Sequence, residues 1–99
     1  MSMDKEIEEQ RKYELKELTD SYQDPQKQFG PGTFGEHELL DRAMMAFEFF
    51  DAQVVRHPAC VLNADLFFAA SKAYDALTSF YQMVGNKVGD AQAPAEGVK

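Results

Sequence analysis

The stretch from Gly35 to Gly85 constrains the fold more than any other part of this 99-residue chain, because it holds nearly all of the apolar bulk. Its apolar residues recur at the three- and four-residue spacing of a helix and not at the two-residue spacing of a strand. The pattern breaks once, at residues 57–63, where Pro58 pushes the preceding residue out of helical geometry. The sequence therefore predicts two helices joined by a short corner, which makes them antiparallel neighbours.

Local signals mark the ends of these two helices. Thr33 and Glu36 have the spacing of a capping box, so the first helix is expected to begin near Phe34. Asn63 is a good N-cap for the second helix. Gly85, followed by Asn86, is the usual composition of a helix end. Residues 36–85 are therefore predicted to be a helical hairpin, and the polar residues 86–99 a disordered tail.

Each predicted helix has one broad apolar face, which we assign to the core. The face of the first helix consists of Leu39, Leu40, Ala43, Met44, Ala46, Phe47, Phe50 and Val54. That of the second consists of Leu66, Ala69, Ala70, Ala73, Tyr74, Leu77, Phe80, Tyr81 and Val84. Five apolar residues remain on the far sides of the two helices, and we predict that they bind a partner: Met45, Phe49, Val55, Phe68 and Met83.

The N-terminal region, residues 1–35, is predicted to be a charged helix followed by a Gly/Pro linker. Within residues 4–22, a narrow stripe at helical spacing contains Ile7, Leu15, Leu18 and Tyr22 together with Arg11. The linker contains Phe29 and Phe34, which suggests that it folds back over the hairpin, with a partner-binding loop as the alternative.

The fold class predicted is all-α, and the hairpin needs a further layer because two helices cannot enclose their own apolar faces. We expect a homodimer in which two hairpins form a four-helix bundle. The main alternative is a monomeric three-helix bundle closed by residues 4–22.

Charge and cysteine content exclude several classes of function. The net charge of −7 disfavours binding to nucleic acid or anionic membranes and would steer the protein towards a basic partner. No apolar run approaches the length of a membrane span. Cys60 is the only cysteine, so no disulfide can form within the chain, and a cytoplasmic location is expected.

No set of residues has the spacing of a catalytic site. His37 and Asp41 share one helix face, but the second histidine of a zinc-protease motif is absent. His57 is interpreted as the last residue of the first helix, where the helix dipole favours a protonated side chain. Cys60 is interpreted as a buried, inert thiol.

The leading hypothesis is a non-enzymatic adaptor or inhibitor that binds a protein and carries no cofactor. The alternative is a bundle that binds a metal or a small ligand through His37, Asp41 and His57.

Overall fold

The computed structural model describes the backbone of residues 2–92 and the side-chain surroundings of residues 4–90. Over the described residues the chain is helical and contains no strand, which confirms the predicted all-α class. The elements in chain order are α1 (Ser2–Ser21), α2 (Pro25–Phe29), α3 (Phe34–Phe50), a π-helical turn (Asp51–Val55), α4 (Pro58–Val61) and α5 (Ala64–Gln92).

Helices α3 and α5 pack along each other as an antiparallel pair, and their contact is the largest in the molecule. Near the start of α3, Leu40 faces Gly85, where an added Cβ atom would lie 3.7 Å from Leu40 Cδ1. Further along α3, the ring of Phe47 makes edge-to-face contacts with Tyr74 and Tyr81, at centroid distances of 6.0 and 5.2 Å. Later residues of α3 thus meet earlier residues of α5, which defines the direction of the pair.

The core of this hairpin is small. Among the described residues, the buried apolar side chains are Ala43, Val55, Cys60, Val84 and Val88, and no polar side chain is buried. A single core of this size supplies only a few kcal/mol, so small domains commonly depend on an additional stabilising contact. The buried position of Cys60 confirms the interpretation of its thiol as a buried group.

The first hairpin helix widens into a π-helical turn after Phe50. The backbone amide of Arg56 donates to Asp51 O, five residues back, at 3.1 Å, and Arg56 Nη2 lies 2.8 Å from Asp51 Oδ2. Such a turn adds one residue to the helix, which rotates the following positions by about 100°. Val55 is carried into the core by this rotation and is 7% exposed, whereas Val54 is 37% exposed. The predictions that Val54 belongs to the core and that Val55 binds a partner are therefore wrong.

The corner between the hairpin helices contains α4, which the sequence did not indicate. His57 is its N-cap, and the Nδ1 atom of His57 accepts a hydrogen bond from the backbone amide of Ala59 at 3.0 Å. The π-helical turn ends at Val55 with Arg56 as its C-cap, so His57 is not the last residue of the first helix but begins the next one.

The predicted N-caps of α3 and α5 are confirmed. Thr33 Oγ1 accepts the amide of Glu36 at 3.3 Å, and Asn63 Oδ1 accepts the amides two and three residues further on. One detail of the capping box differs, since Glu36 Oε1 accepts the amide of Gly32 at 2.8 Å and not that of Thr33. These contacts involve only neighbouring residues, which explains why the sequence predicts them.

Helix α5 continues past its predicted end at Gly85 and reaches Gln92. The apolar spacing supports this extension, because Val88 follows Val84 by four residues and is itself buried, at 5% exposure. The prediction of a disordered tail over residues 86–99 is therefore wrong for residues 86–92. The remaining residues, 93–99, lie outside the described part of the chain.

Helix α1 makes no extended contact with α3 or α5 over the described residues, so it does not close a three-helix bundle. Its surface carries ion pairs between neighbouring turns. The strongest joins Arg11 to Glu8 through two hydrogen bonds of 2.8 and 2.9 Å, and these lower the pKa of the Glu8 carboxyl and raise that of the Arg11 guanidinium. Both groups are solvent-exposed, so the pair adds little to stability.

The linker between α1 and α3 contains the short helix α2. The ring of Phe29 packs edge to face on Tyr22, with centroids 5.0 Å apart. It also lies against Gly35, where an added Cβ atom would come within 2.6 Å of Phe29 Cδ1. Phe34, by contrast, is 82% exposed. The linker therefore connects the end of α1 to the start of α3, and the prediction that both aromatic rings fold back over the hairpin is wrong.

Candidate protein-binding face

Helix α5 carries two parallel apolar stripes, each repeating at alternating steps of three and four residues. The inner stripe lies against α3 and consists of Ala70, Tyr74, Leu77, Tyr81, Val84 and Val88. The outer stripe is exposed and consists of Leu66, Ala69, Ala73, Ala76, Phe80 and Met83. At 100° per residue, the outer stripe is turned by about 100° from the inner one around the helix axis. The outer stripe of α5 therefore remains exposed among the described residues.

Helix α3 has an equivalent exposed stripe. Leu39 and Ala46 are exposed. They lie about 90° around the α3 axis from its core-facing residues, in the same direction of rotation as the outer stripe lies from the inner stripe on α5. Phe49 is exposed at the outer edge of this stripe. In an antiparallel pair, two stripes offset in the same sense lie on the same side of the pair. We call this side the apolar face, formed by Leu39, Ala46, Phe49 and the outer stripe of α5.

A cleft at the corner of the hairpin extends the apolar face. It has a volume of about 450 Å³ and is open to solvent. Its lining includes Gln53 and Val54 from the π-helical turn, Leu66 from the outer stripe of α5 and Ala70 from the inner stripe. The complete lining is Gln53, Val54, His57, Ala59, Cys60, Leu66 and Ala70.

The five residues predicted to bind a partner do not form one surface. Val55 is buried, as described above, and the other four are exposed. Met83 lies on the apolar face and Phe49 at its edge. Met45 points away from α5, and Phe68 lies on another side of its helix, where the ammonium of Lys72 sits 5.3 Å from its ring centroid.

Six residues of the apolar face were assigned to the core from the sequence, and this assignment is wrong because all six are exposed: Leu39, Ala46, Leu66, Ala69, Ala73 and Phe80. One signal in the sequence pointed to them. The apolar surface of α5 is wide enough for two adjacent stripes, each with residues at three- and four-residue steps. A single neighbouring helix covers only one such stripe.

The residues proposed for a metal or small-ligand site do not come together. No group of three or more His, Cys, Asp or Glu side chains in the described part of the chain is placed to hold a metal ion. His37 is half-buried near the start of α3, and Asp41 is exposed one turn later. His57 lies beyond the C-terminal end of α3 and the π-helical turn, roughly 20 Å or more from both residues by the rise of about 1.5 Å per residue.

Comparison of the chain with models of protein families, with curated proteins and with solved structures finds no match. Within the described residues, none of the helices combines the length and the apolar character needed to cross a membrane. The class that the geometry of the described residues defines is an all-α hairpin with an exposed apolar face. A second apolar cleft, lined by Val61, Ala64, Phe67, Phe68 and Ser71, lies on another side of α5.

Proposed function

We propose that this chain is a non-enzymatic protein-binding protein and that the apolar face of its hairpin is the binding surface. The observation that carries the proposal is the outer stripe of α5, in which large side chains are exposed along one line: Leu66, Phe80 and Met83. Soluble domains seldom leave a continuous apolar stripe of this length uncovered unless another surface binds it.

The shape of the face favours a polypeptide over a small molecule. From Leu66 to Met83 the outer stripe runs for about 26 Å along the helix axis. The face is shallow, since three of its residues on α5 are alanines, Ala69, Ala73 and Ala76. A shallow, elongated groove between two helices accepts an amphipathic helix, whose large residues recur at the same three- and four-residue steps.

A photo-crosslinking pair tests the proposal within one helix. Phe80 and Phe68 are both exposed phenylalanines of α5, 47% and 65% exposed, but only Phe80 belongs to the apolar face. We expect a benzoylphenylalanine at position 80 to form an adduct with a second polypeptide, either in extract or with another copy of the purified chain. The same group at position 68 is expected to form little adduct.

Equal crosslinking at positions 80 and 68 would show that contact is unspecific. No adduct at position 80, in extract and in the purified protein at high concentration, would overturn the assignment of the face. Circular dichroism of both variants has to match that of the natural chain, so that the comparison is between folded proteins.

A further inference from the structure

Helix α1 has a largely exposed apolar stripe of its own. Ile7, Leu15 and Tyr22 share one side of the helix and are exposed, and α2 borders only the C-terminal end of the stripe, where Phe29 packs on Tyr22. Acidic residues flank the stripe on both sides, Glu8 one way around the helix and Glu14 and Glu17 the other. Arg11, which lies within the stripe, forms an ion pair with Glu8. Helix α1 is thus an amphipathic helix with acidic margins and no packing partner among the described residues of its own hairpin.

The apolar face of the hairpin has the opposite local charge, although the whole chain is acidic. Three of the four bases of residues 34–92, Arg42, Lys72 and Lys87, lie along its margins. Glu38 is hydrogen-bonded to Arg42 at 2.9 Å, and the other acids on this side, Asp65 and Asp90, lie at the two ends of α5.

The opposite side of the hairpin carries the acids Asp41, Glu48 and Asp75, and the base Arg56 on this side is paired with Asp51. The charges that border the apolar face therefore favour an acidic helix there, in contrast to the basic partner that the net charge of −7 suggests.

The two surfaces also match in length. The stripe of α1 from Ile7 to Tyr22 spans about 23 Å, and the outer stripe of α5 from Leu66 to Met83 spans about 26 Å. The alanines of the outer stripe leave a shallow groove into which side chains such as Leu15 and Leu18 can insert.

We propose that the apolar face is covered by α1 of a second copy of this chain, so that two chains exchange their N-terminal helices. This inference rests on the proposed function and names the partner helix. In each chain, α2 and the contact of Phe29 with Tyr22 and Gly35 hold α1 away from its own hairpin. A reciprocal exchange covers both faces and both α1 stripes, and it closes with two-fold symmetry.

A reciprocal exchange covers exposed apolar side chains of both the hairpin and α1 in each chain. Direct packing of one hairpin face on another would cover less of this surface, since α1 would stay exposed. It would also bring the bases Arg42, Lys72 and Lys87 of both copies to one interface.

A disulfide trap between two separately labelled full-length chains tests the exchange directly. One chain carries Leu18→Cys on the α1 stripe and the other carries Ala73→Cys on the outer stripe of α5. After mixing and mild oxidation, we expect a covalent heterodimer whose 18–73 linkage is identified by mass spectrometry. The matched control replaces Leu18→Cys by Tyr13→Cys, an exposed position on the opposite side of α1, and should give at least tenfold less product.

Light scattering of unlinked full-length variants separates this inference from the proposed function. We expect a dimer that Leu18→Glu and Phe80→Glu each weaken at least tenfold, while Tyr13→Glu and Phe68→Glu leave it unchanged. A dimer weakened by Phe80→Glu but not by Leu18→Glu would mean that two hairpins pair face to face. In that case the apolar face would stand and the exchange of α1 would be wrong.

A chain that stays monomeric at all concentrations would overturn the exchange as well. The proposed function would then be decided by whether position 80 still crosslinks to a different polypeptide. Circular dichroism of each variant shows whether its helix content is retained.

Discussion

The two adjacent valines at the end of the first hairpin helix provide the sharpest test of the structure. Val55 is 7% exposed and Val54 is 37% exposed, although a regular α-helix would place them the other way round. We therefore compare Val55→Ala with Val54→Ala. The two variants make the same chemical change one residue apart, so helix propensity contributes equally to both.

The magnitudes follow from burial. Val→Ala removes two methyl groups, each worth about 0.8 kcal/mol when fully buried, and the space left in a packed core adds a few tenths. Val55→Ala is thus expected to lower the free energy of unfolding by about 2 kcal/mol. Val54 is partly exposed and borders an open cleft, so Val54→Ala creates no enclosed cavity and is expected to cost about 1 kcal/mol or less.

Urea unfolding monitored by circular dichroism at 222 nm measures both values at one fixed protein concentration. The slopes of the transitions should agree with that of the natural chain, so that the midpoints can be compared. A cost for Val54→Ala equal to or larger than that for Val55→Ala would refute the π-helical turn, because the core would then contain the valine that a regular helix places there.

Two further substitutions test other parts of the hairpin. Val88→Asp is expected to destabilise the protein by about 3 kcal/mol because it puts a charge in a buried position, whereas Asn86→Asp, at an exposed position, should change stability by less than about 0.5 kcal/mol in urea unfolding. Equal effects would show that α5 ends at Gly85. His57→Ala removes the N-cap of α4 and should cost about 1 kcal/mol in the same assay, while His57→Asn, which keeps an acceptor for the amide of Ala59, should cost clearly less.

Features set by neighbouring residues were predictable from the sequence. The N-caps Thr33 and Asn63 and the break before Pro58 each depend on contacts within four residues, so their spacing alone indicates them. The broad apolar faces likewise predicted helices and their antiparallel pairing. The sequence also showed that the apolar face of α5 is wide. It did not show which apolar residues lie in the inner stripe and which in the exposed outer stripe, because an apolar residue is compatible with either.

The predicted end of α5 at Gly85 was wrong for a different reason. Gly85 and Asn86 have the composition of a helix end, and helix propensity disfavours glycine within a helix. The helix nevertheless continues, because Val88 packs in the core. Tertiary packing here outweighs the cost of about 1 kcal/mol that a glycine imposes within a helix.

The sequence by itself determined the all-α class, the starts of the two long helices and the position of the corner between them, since each of these follows from local periodicity and capping. Only the tertiary structure decided which of Val54 and Val55 is buried, where α5 ends and which apolar stripe remains uncovered. The physical reason is the same in all three cases. One π-helical turn and the register between α3 and α5 determine which side of each helix faces the core, and both arise from contacts between residues far apart in the chain.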